Sequence, residues 1–201
     1  KVFDIEFLNE EGKKEHPFQT SWGLSTRSIG GLILSHGDDS GLIVPPRVAP
    51  HQVVILIVGG DATVKDHAMK ISHQLIQRGV RIAVDIDSEH SLGFRINNWE
   101  LKGVPVRLEV GAKEIEQGTV KFVRRDTFEK GFIPLDELEA KIPELLEAIQ
   151  NELFEKSKKN RDNLTINVDS LDLFKESLEK QRYFIRAPWC EDAECEAKIK
   201  E

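Results

Sequence analysis

Three charged residues, Glu100, Arg107 and Lys113, flank or lie within one short strand pattern. The stretch Val104–Val110 alternates apolar and polar residues, which predicts a strand with Arg107 and Glu109 on one face. We expect Glu100 at the end of a preceding helix and Lys113 in a following turn, so that the three meet at one edge of a sheet. Guanine offers acceptors that suit Arg or Lys and donors that suit a carboxylate. The trio is therefore either a reader of unpaired guanines or a solvated charged surface.

Two cysteines, Cys190 and Cys195, follow the dipeptide Pro188-Trp189. Two thiolates supply half of a tetrahedral zinc site. The alternative is a pair of unrelated thiols, because one Cys-x4-Cys pair is a weak motif. Two cysteines cannot form a disulfide scaffold, so the composition favours a reducing, cytoplasmic compartment.

Other polar motifs favour structural roles over catalysis. The segment His36-Gly-Asp-Asp39 could support acid–base chemistry, but its composition is typical of a turn. The six histidines show no metal-ligand spacing, and no nucleophile or phosphate-loop motif occurs. Gly30 and Gly31 lie within a helical pattern at 25–35 and would weaken that helix. They indicate close packing against another element or a ligand.

Composition excludes several classes of protein. The chain has 201 residues, a net charge of −7 and 39% hydrophobic residues, which suggests one or two folded domains. No segment approaches the ~20 apolar residues of a membrane-spanning helix, so we expect no membrane association. The acidic balance argues against sequence-independent coating of nucleic acid, although a local basic patch remains compatible with it.

Strand and helix patterns alternate over residues 48–150, which predicts an α/β domain with a mainly parallel sheet. Pro-rich residues 44–50 and charged residues 156–163 are candidate boundaries, and the residues before 48 do not form a complete domain pattern. A long closing helix follows residue 135, in which Pro143 should cause a kink or a break. The predicted strands are 53–58, 82–86, 104–110 and 119–125, and the helices between them are near 61–78 and 91–102.

Three segments resemble prolyl-tRNA synthetases of the archaeal and eukaryotic type. Gln19–Gly31, with the His36-Gly-Asp-Asp39 and Gly41–Pro50 stretches that follow, is similar to the third signature motif of class II synthetases. Trp99–Lys113 resembles the anticodon-binding domain of that family, and Ala187–Cys195 resembles the start of its C-terminal zinc-binding domain. The segments occur in the family's order and span essentially the whole chain.

This resemblance implies three parts. Residues 1–47 would be the end of a class II catalytic domain. Residues 48–155 would be an α/β anticodon-binding domain with a mixed, mainly parallel sheet flanked by helices. Residues 160–201 would be a truncated α+β domain of the zinc-binding type. The chain then looks like the C-terminal portion of a longer enzyme, and alone it should not form prolyl-adenylate.

The resemblance also implies roles for individual residues. Ser25 and Arg27 would contact ATP, and Ser21, Trp22 and Gly23 would line the floor of the proline site. No general acid or base is implied, because adenylate formation depends on positioning and charge neutralisation.

Two further sets of residues acquire roles in the same way. Glu100, Arg107 and Lys113 would read the two guanines of the proline anticodon, and Cys190 and Cys195 would be two of the zinc ligands. Ala112 stands where the family usually has proline, which affects the stiffness of the loop more than base reading.

The implied function is that of a proline–tRNA ligase. Such an enzyme activates proline with ATP and Mg²⁺ and transfers it to tRNA(Pro), and we expect a cytoplasmic homodimer with a possible structural Zn²⁺. One alternative is a non-catalytic RNA-binding fragment. The other is a glycyl, threonyl or histidyl synthetase, against which the Thr-Ser-Trp-Gly stretch and the cysteine segment argue.

Overall fold

The computed structural model describes residues 3–59, 61–190 and 192–200, so the outermost limits of the predicted domains, residues 1 and 201, lie outside the described residues. The N-terminal elements are β1 (Phe7–Leu8), β2 (Lys14–Glu15) and α1 (Arg27–His36). The central elements are β3 (Val53–Ile57), α2 (Ala62–Gln77), β4 (Ile82–Asp85), α3 (Leu92–Leu101), β5 (Val106–Val110), α4 (Ala112–Glu116), β6 (Thr119–Arg124), β7 (Lys130–Pro134) and α5 (Leu138–Asn163). The C-terminal elements are β8 (Thr165–Asn167), α6 (Leu171–Lys180), β9 (Phe184–Arg186) and α7 (Ala193–Lys200).

A five-stranded sheet with the order β4-β3-β5-β6-β7 forms the centre of the molecule. Strand β3 pairs in parallel with β4 and β5, whereas the β5–β6 and β6–β7 pairs are antiparallel. The predicted mixed α/β sheet is confirmed, but the prediction that it is mainly parallel is wrong. Strand β7 was not predicted, and it joins β6 through a short turn that needs no crossover helix.

Helices cover both faces of this sheet. Val53, Ile55 and Ile57 of β3 belong to the larger core cluster, to which α2 and α5 contribute. Val54 and Leu56 face the other side, where Trp99 and other side chains of α3 pack against them. The continuous apolar run in β3 therefore reflects burial on both faces, as the sequence predicts.

The predicted limits of α2 and α3 agree with their capping residues. The Asp61 side chain accepts a hydrogen bond from the Thr63 N–H, and Ser91 accepts one from Phe94. Helix α2 ends at Gln77 with Arg78 as its C-cap, and the next residue, Gly79, has φ +80°. A left-handed residue at this place is typical of a helix end, and glycine adopts it without strain.

Helix α5 is continuous over 26 residues and contains Pro143. Of the predicted kink or break at Pro143, the break does not occur, because the proline removes a single bond, to the Glu139 carbonyl, close to the beginning of the helix. The charged stretch 156–163, a candidate domain boundary, is helical and forms the last part of α5. Its Lys and Arg residues favour helix, and its polar composition reflects exposure to solvent.

The regions on either side of the sheet domain have fewer buried side chains. Helix α1 confirms the predicted helix near residues 25–35, but none of its residues is buried. Strands β1 and β2 form an antiparallel pair, and β8 and β9 form a parallel pair. Among the described residues, no helix has the length and hydropathy needed to span a membrane.

Candidate functional site

Glu100 and Arg107 are in direct contact. The Arg107 Nη1 donates a hydrogen bond to the Glu100 Oε1 at 2.7 Å, and the two side chains are 12% and 22% exposed, respectively. The sequence predicted Arg107 at an exposed edge of the sheet, and this placement is wrong. Strand β5 is the central strand, because β6 and β7 extend the sheet beyond it.

The contact belongs to a row of four alternating charges on one face of the sheet, which we call the charged row: Glu100, Arg107, Glu109 and Lys121. The Arg107 Nε donates to the Glu109 Oε1 at 3.1 Å, and the Lys121 Nζ donates to the Glu109 Oε2 at 2.7 Å. Cross-strand pairing places Lys121 opposite Glu109. Each charge has an opposite neighbour, which limits the cost of removing these groups from water.

Lys113 does not join the charged row. It lies in α4 rather than in a turn, and its side chain is exposed beyond the carboxyl end of β5. The side-chain hydrogen bonds and ion pairs of the described residues connect Glu100 with Arg107 but do not include the Lys113 side chain. The structure thus brings two of the three predicted residues together.

Helix α3 carries Glu100, and a buried carboxylate fixes this helix on the sheet. Asp85, at the end of β4, accepts hydrogen bonds from the Arg95 Nε at 2.9 Å and from the Trp99 Nε1 at 2.6 Å. The sequence interpretation did not include Asp85 or Lys121 in the site. The alternation of apolar and polar residues in this strand predicted Glu109 on the same face as Arg107. This pattern could therefore have identified Glu109 as a member of the charged row.

The surface around the charged row is shallow. A cavity of about 10 Å³ lies beside Glu100, Arg107 and Trp99, which is room for at most one water molecule. A larger pocket of about 560 Å³ lies elsewhere, at the carboxyl ends of β3 and β4, where Asp87 and His90 pair at 2.7 Å. A shallow charged face suits the exposed edges of unpaired bases better than an enclosed small molecule.

The residues predicted to contact ATP and proline are all exposed. Ser21, Trp22 and Gly23 lie in the segment before α1, and Trp22 is 93% exposed. Ser25 precedes the helix and its Oγ accepts a hydrogen bond from the N–H of Arg27, the first helical residue, at 3.4 Å. The structure leaves their predicted roles untested.

The two cysteines lie near the end of the described chain. Cys190 is exposed, and Cys195 lies half-buried in α7. Within the ranges that the structure describes, the group of three potential metal-ligand side chains is formed by Asp4, Glu6 and His16, all exposed, and contains neither cysteine. The zinc assignment stays a prediction.

Comparison with known proteins agrees with this geometry. Residues 52–145 match the family described as the anticodon binding domain. The mixed sheet and the charged row lie within the residues that match this anticodon-binding domain.

Two curated relatives and one solved structure extend the similarity to the whole chain. The chain is 48% identical to proline–tRNA ligase 2 of Clostridioides difficile and 47% identical to proline–tRNA ligase of Clostridium novyi, and it covers 42% of each. A crystal structure of prolyl-tRNA synthetase from Cryptosporidium parvum, complexed with L-proline and AMP, superimposes with a TM-score of 0.84 at 43% identity. That match covers 99% of this chain and 43% of the other. The chain is thus similar over its whole length to proline–tRNA ligases, of which it spans about 42%.

Proposed function

We propose that this chain supplies the anticodon-reading part of a proline–tRNA ligase. The chain spans about 42% of the length of the curated relatives, so the activity of the whole enzyme is part of the proposal. The observation that carries it is the direct contact between Glu100 and Arg107 within an anticodon-binding domain.

In the proposed base reading, Glu100 and Arg107 would contact different groups of a guanine. Arg107 engages the Glu100 carboxylate through Oε1, and the other carboxylate oxygen can accept the N1–H or N2–H donors of guanine. Two of the three Arg107 nitrogens bind Glu100 and Glu109, which leaves Nη2 for a guanine acceptor. Lys113 would approach the second guanine from the carboxyl end of β5. Each good base contact contributes about 1–3 kcal/mol of discrimination.

The remaining predicted roles complete the proposal. Arg27 would stack on the adenine of ATP, Ser25 would be its neighbour, and Ser21, Trp22 and Gly23 would line the floor of the proline site. Proline, ATP with Mg²⁺ and tRNA(Pro) are the proposed substrates of a cytoplasmic homodimer, in which Cys190 and Cys195 would bind part of a structural Zn²⁺ site.

Binding of anticodon hairpins tests base reading. One RNA hairpin carries the proline anticodon with its two guanines, and a second carries adenines at those positions. We expect Arg107→Ala to weaken binding of the guanine hairpin by about 1–3 kcal/mol in fluorescence anisotropy. Binding of the adenine hairpin should weaken much less, so that the affinities for the two hairpins become more similar.

Arg78→Ala is the matched control, because Arg78 forms an exposed ion pair with Glu139 away from the charged row. It should leave both affinities unchanged. An equal loss for both hairpins in Arg107→Ala would show that Arg107 only positions the RNA backbone, and the proposed base reading would then be wrong.

A further inference from the structure

Arg125 lies directly after β6 and is almost fully buried, with 2% of its side chain exposed. Its Nη1 and Nη2 donate to the two carboxylate oxygens of Asp38 at 2.9 and 2.6 Å. Its Nε donates to the backbone carbonyl of Glu100 at 3.0 Å. We call these three hydrogen bonds the clasp. All three guanidinium nitrogens are thus bound, and a buried guanidinium requires such partners.

Backbone contacts extend the clasp along the chain. The Leu42 N–H donates to the Leu101 carbonyl, and the Val44 N–H donates to the Gly103 carbonyl, both at 3.1 Å. A Cβ at Gly41 would lie 2.6 Å from the Leu101 Cα, and φ at Gly41 is +128°. Only glycine permits this approach. Residues 38–44 therefore lie directly on the end of α3.

The clasp joins two regions that the proposed function assigns to different tasks. Asp38 follows α1 and its cap, Gly37, and α1 begins at Arg27, the proposed ATP contact. On the other side, the bound carbonyl belongs to Glu100, whose side chain pairs with Arg107. One guanidinium thus links the segment after α1 to the backbone of a proposed base reader.

We propose that Asp38 and Arg125 are positioning residues for anticodon recognition: they hold residues 38–44 against the end of α3 and so fix the Glu100 backbone. This inference rests on the proposed function, because it assigns a purpose to the placement of Glu100. It also gives the His36-Gly-Asp-Asp39 motif a role beyond a turn. An ion pair that only stabilises the fold would not alter the choice between bases.

Asp38→Asn tests the clasp, since it removes the charge but keeps the shape and the Oδ1 that accepts the Ser40 N–H. The neighbouring exposed Asp39→Asn is the matched control. Both variants are made in this chain, and binding is measured with the guanine and adenine hairpins described above. Hydrogen exchange at the Leu42 and Val44 amides reports the contact with α3 independently of RNA.

We expect Asp38→Asn to reduce the preference for the guanine hairpin about three- to tenfold and to accelerate exchange at both amides. Asp39→Asn should do neither. Arg125→Lys should act like Asp38→Asn, because a lysine cannot bind both carboxylate oxygens and the Glu100 carbonyl together.

An unchanged preference in Asp38→Asn would overturn the inference, whether or not exchange accelerates, since the pair would then only stabilise. Failure of the proposed function looks different. In that case the unmodified chain itself would show no preference for the guanine hairpin, and the positioning role would fall with it.

Discussion

The sheet domain and the N-terminal region up to His36 differ in where their large apolar side chains lie. Ile55 and Leu108 in the sheet are fully buried, whereas Trp22 and Leu34 beside and within α1 are about nine-tenths exposed. Burial of apolar surface is the main source of folding free energy. Within this chain the sheet domain therefore has its own core, whereas none of the residues of α1 is buried.

A pair of leucine truncations should give the largest contrast between the two regions. Leu108→Ala removes a buried side chain from the central strand and should lower the free energy of unfolding by about 2–5 kcal/mol. Leu34→Ala changes an exposed side chain and should alter the free energy of unfolding by no more than about 0.5 kcal/mol. Urea denaturation measures both. Similar losses for the two variants would show that α1 packs in solution as firmly as the sheet.

A smaller effect should appear in the pH dependence of the stability that the Asp38–Arg125 ion pair contributes. The hydrogen bond from Arg125 holds the pKa of Asp38 below its usual value. Because its pKa is lowered in the folded state, Asp38 contributes its full share of the free energy of unfolding above the unfolded-state pKa. This contribution disappears as the pH falls through the folded-state pKa.

The measurement compares the unfolding free energies of the unmodified chain and Asp38→Asn across pH. We expect a constant difference near neutral pH that shrinks below about pH 4. A difference that stays constant down to strongly acidic pH would show that the Asp38 carboxylate is not responsible.

The smallest expected effect lies within α1. A Cβ built at Gly30 or Gly31 meets no atom of another element within 4 Å in the described chain, so the expected packing against another element does not occur there, whereas the alternative of a ligand stays a prediction. Gly30→Ala should therefore stabilise α1 by up to about 1 kcal/mol, through helix propensity alone. Amide exchange within α1 should slow, while exchange in β3 should not change. Faster exchange in α1 would reveal a contact that requires the glycine.

Local patterns predicted the elements of the sheet domain better than its long-range contacts. The apolar run of β3, the Asp61 cap of α2 and the shared face of Arg107 and Glu109 all follow from neighbours in sequence. Strand β7 gave a weak signal, because it contains Gly131 and ends at Pro134, and both residues are uncommon within strands.

The pairings that define the site depend on residues far apart in the chain. Arg125 and Asp38 are separated by 87 positions, and no spacing rule connects them. The antiparallel addition of β6 and β7 likewise changed the position of Arg107 from an edge to the centre. Side-chain chemistry suggested base reading, but only the fold shows that the carboxylates of Glu100 and Glu109 hold the Arg107 guanidinium.

The continuous helix α5 has a mechanical consequence. Its last buried residue is Leu153, and the ten residues from 154 to 163 are exposed. At 1.5 Å of rise per residue, this exposed part is a rod of about 15 Å. The β8–β9 unit is attached at the far end of that rod. A small rotation of the buried part of α5 against the sheet would therefore produce a larger displacement of the β8–β9 unit, as at the end of a lever.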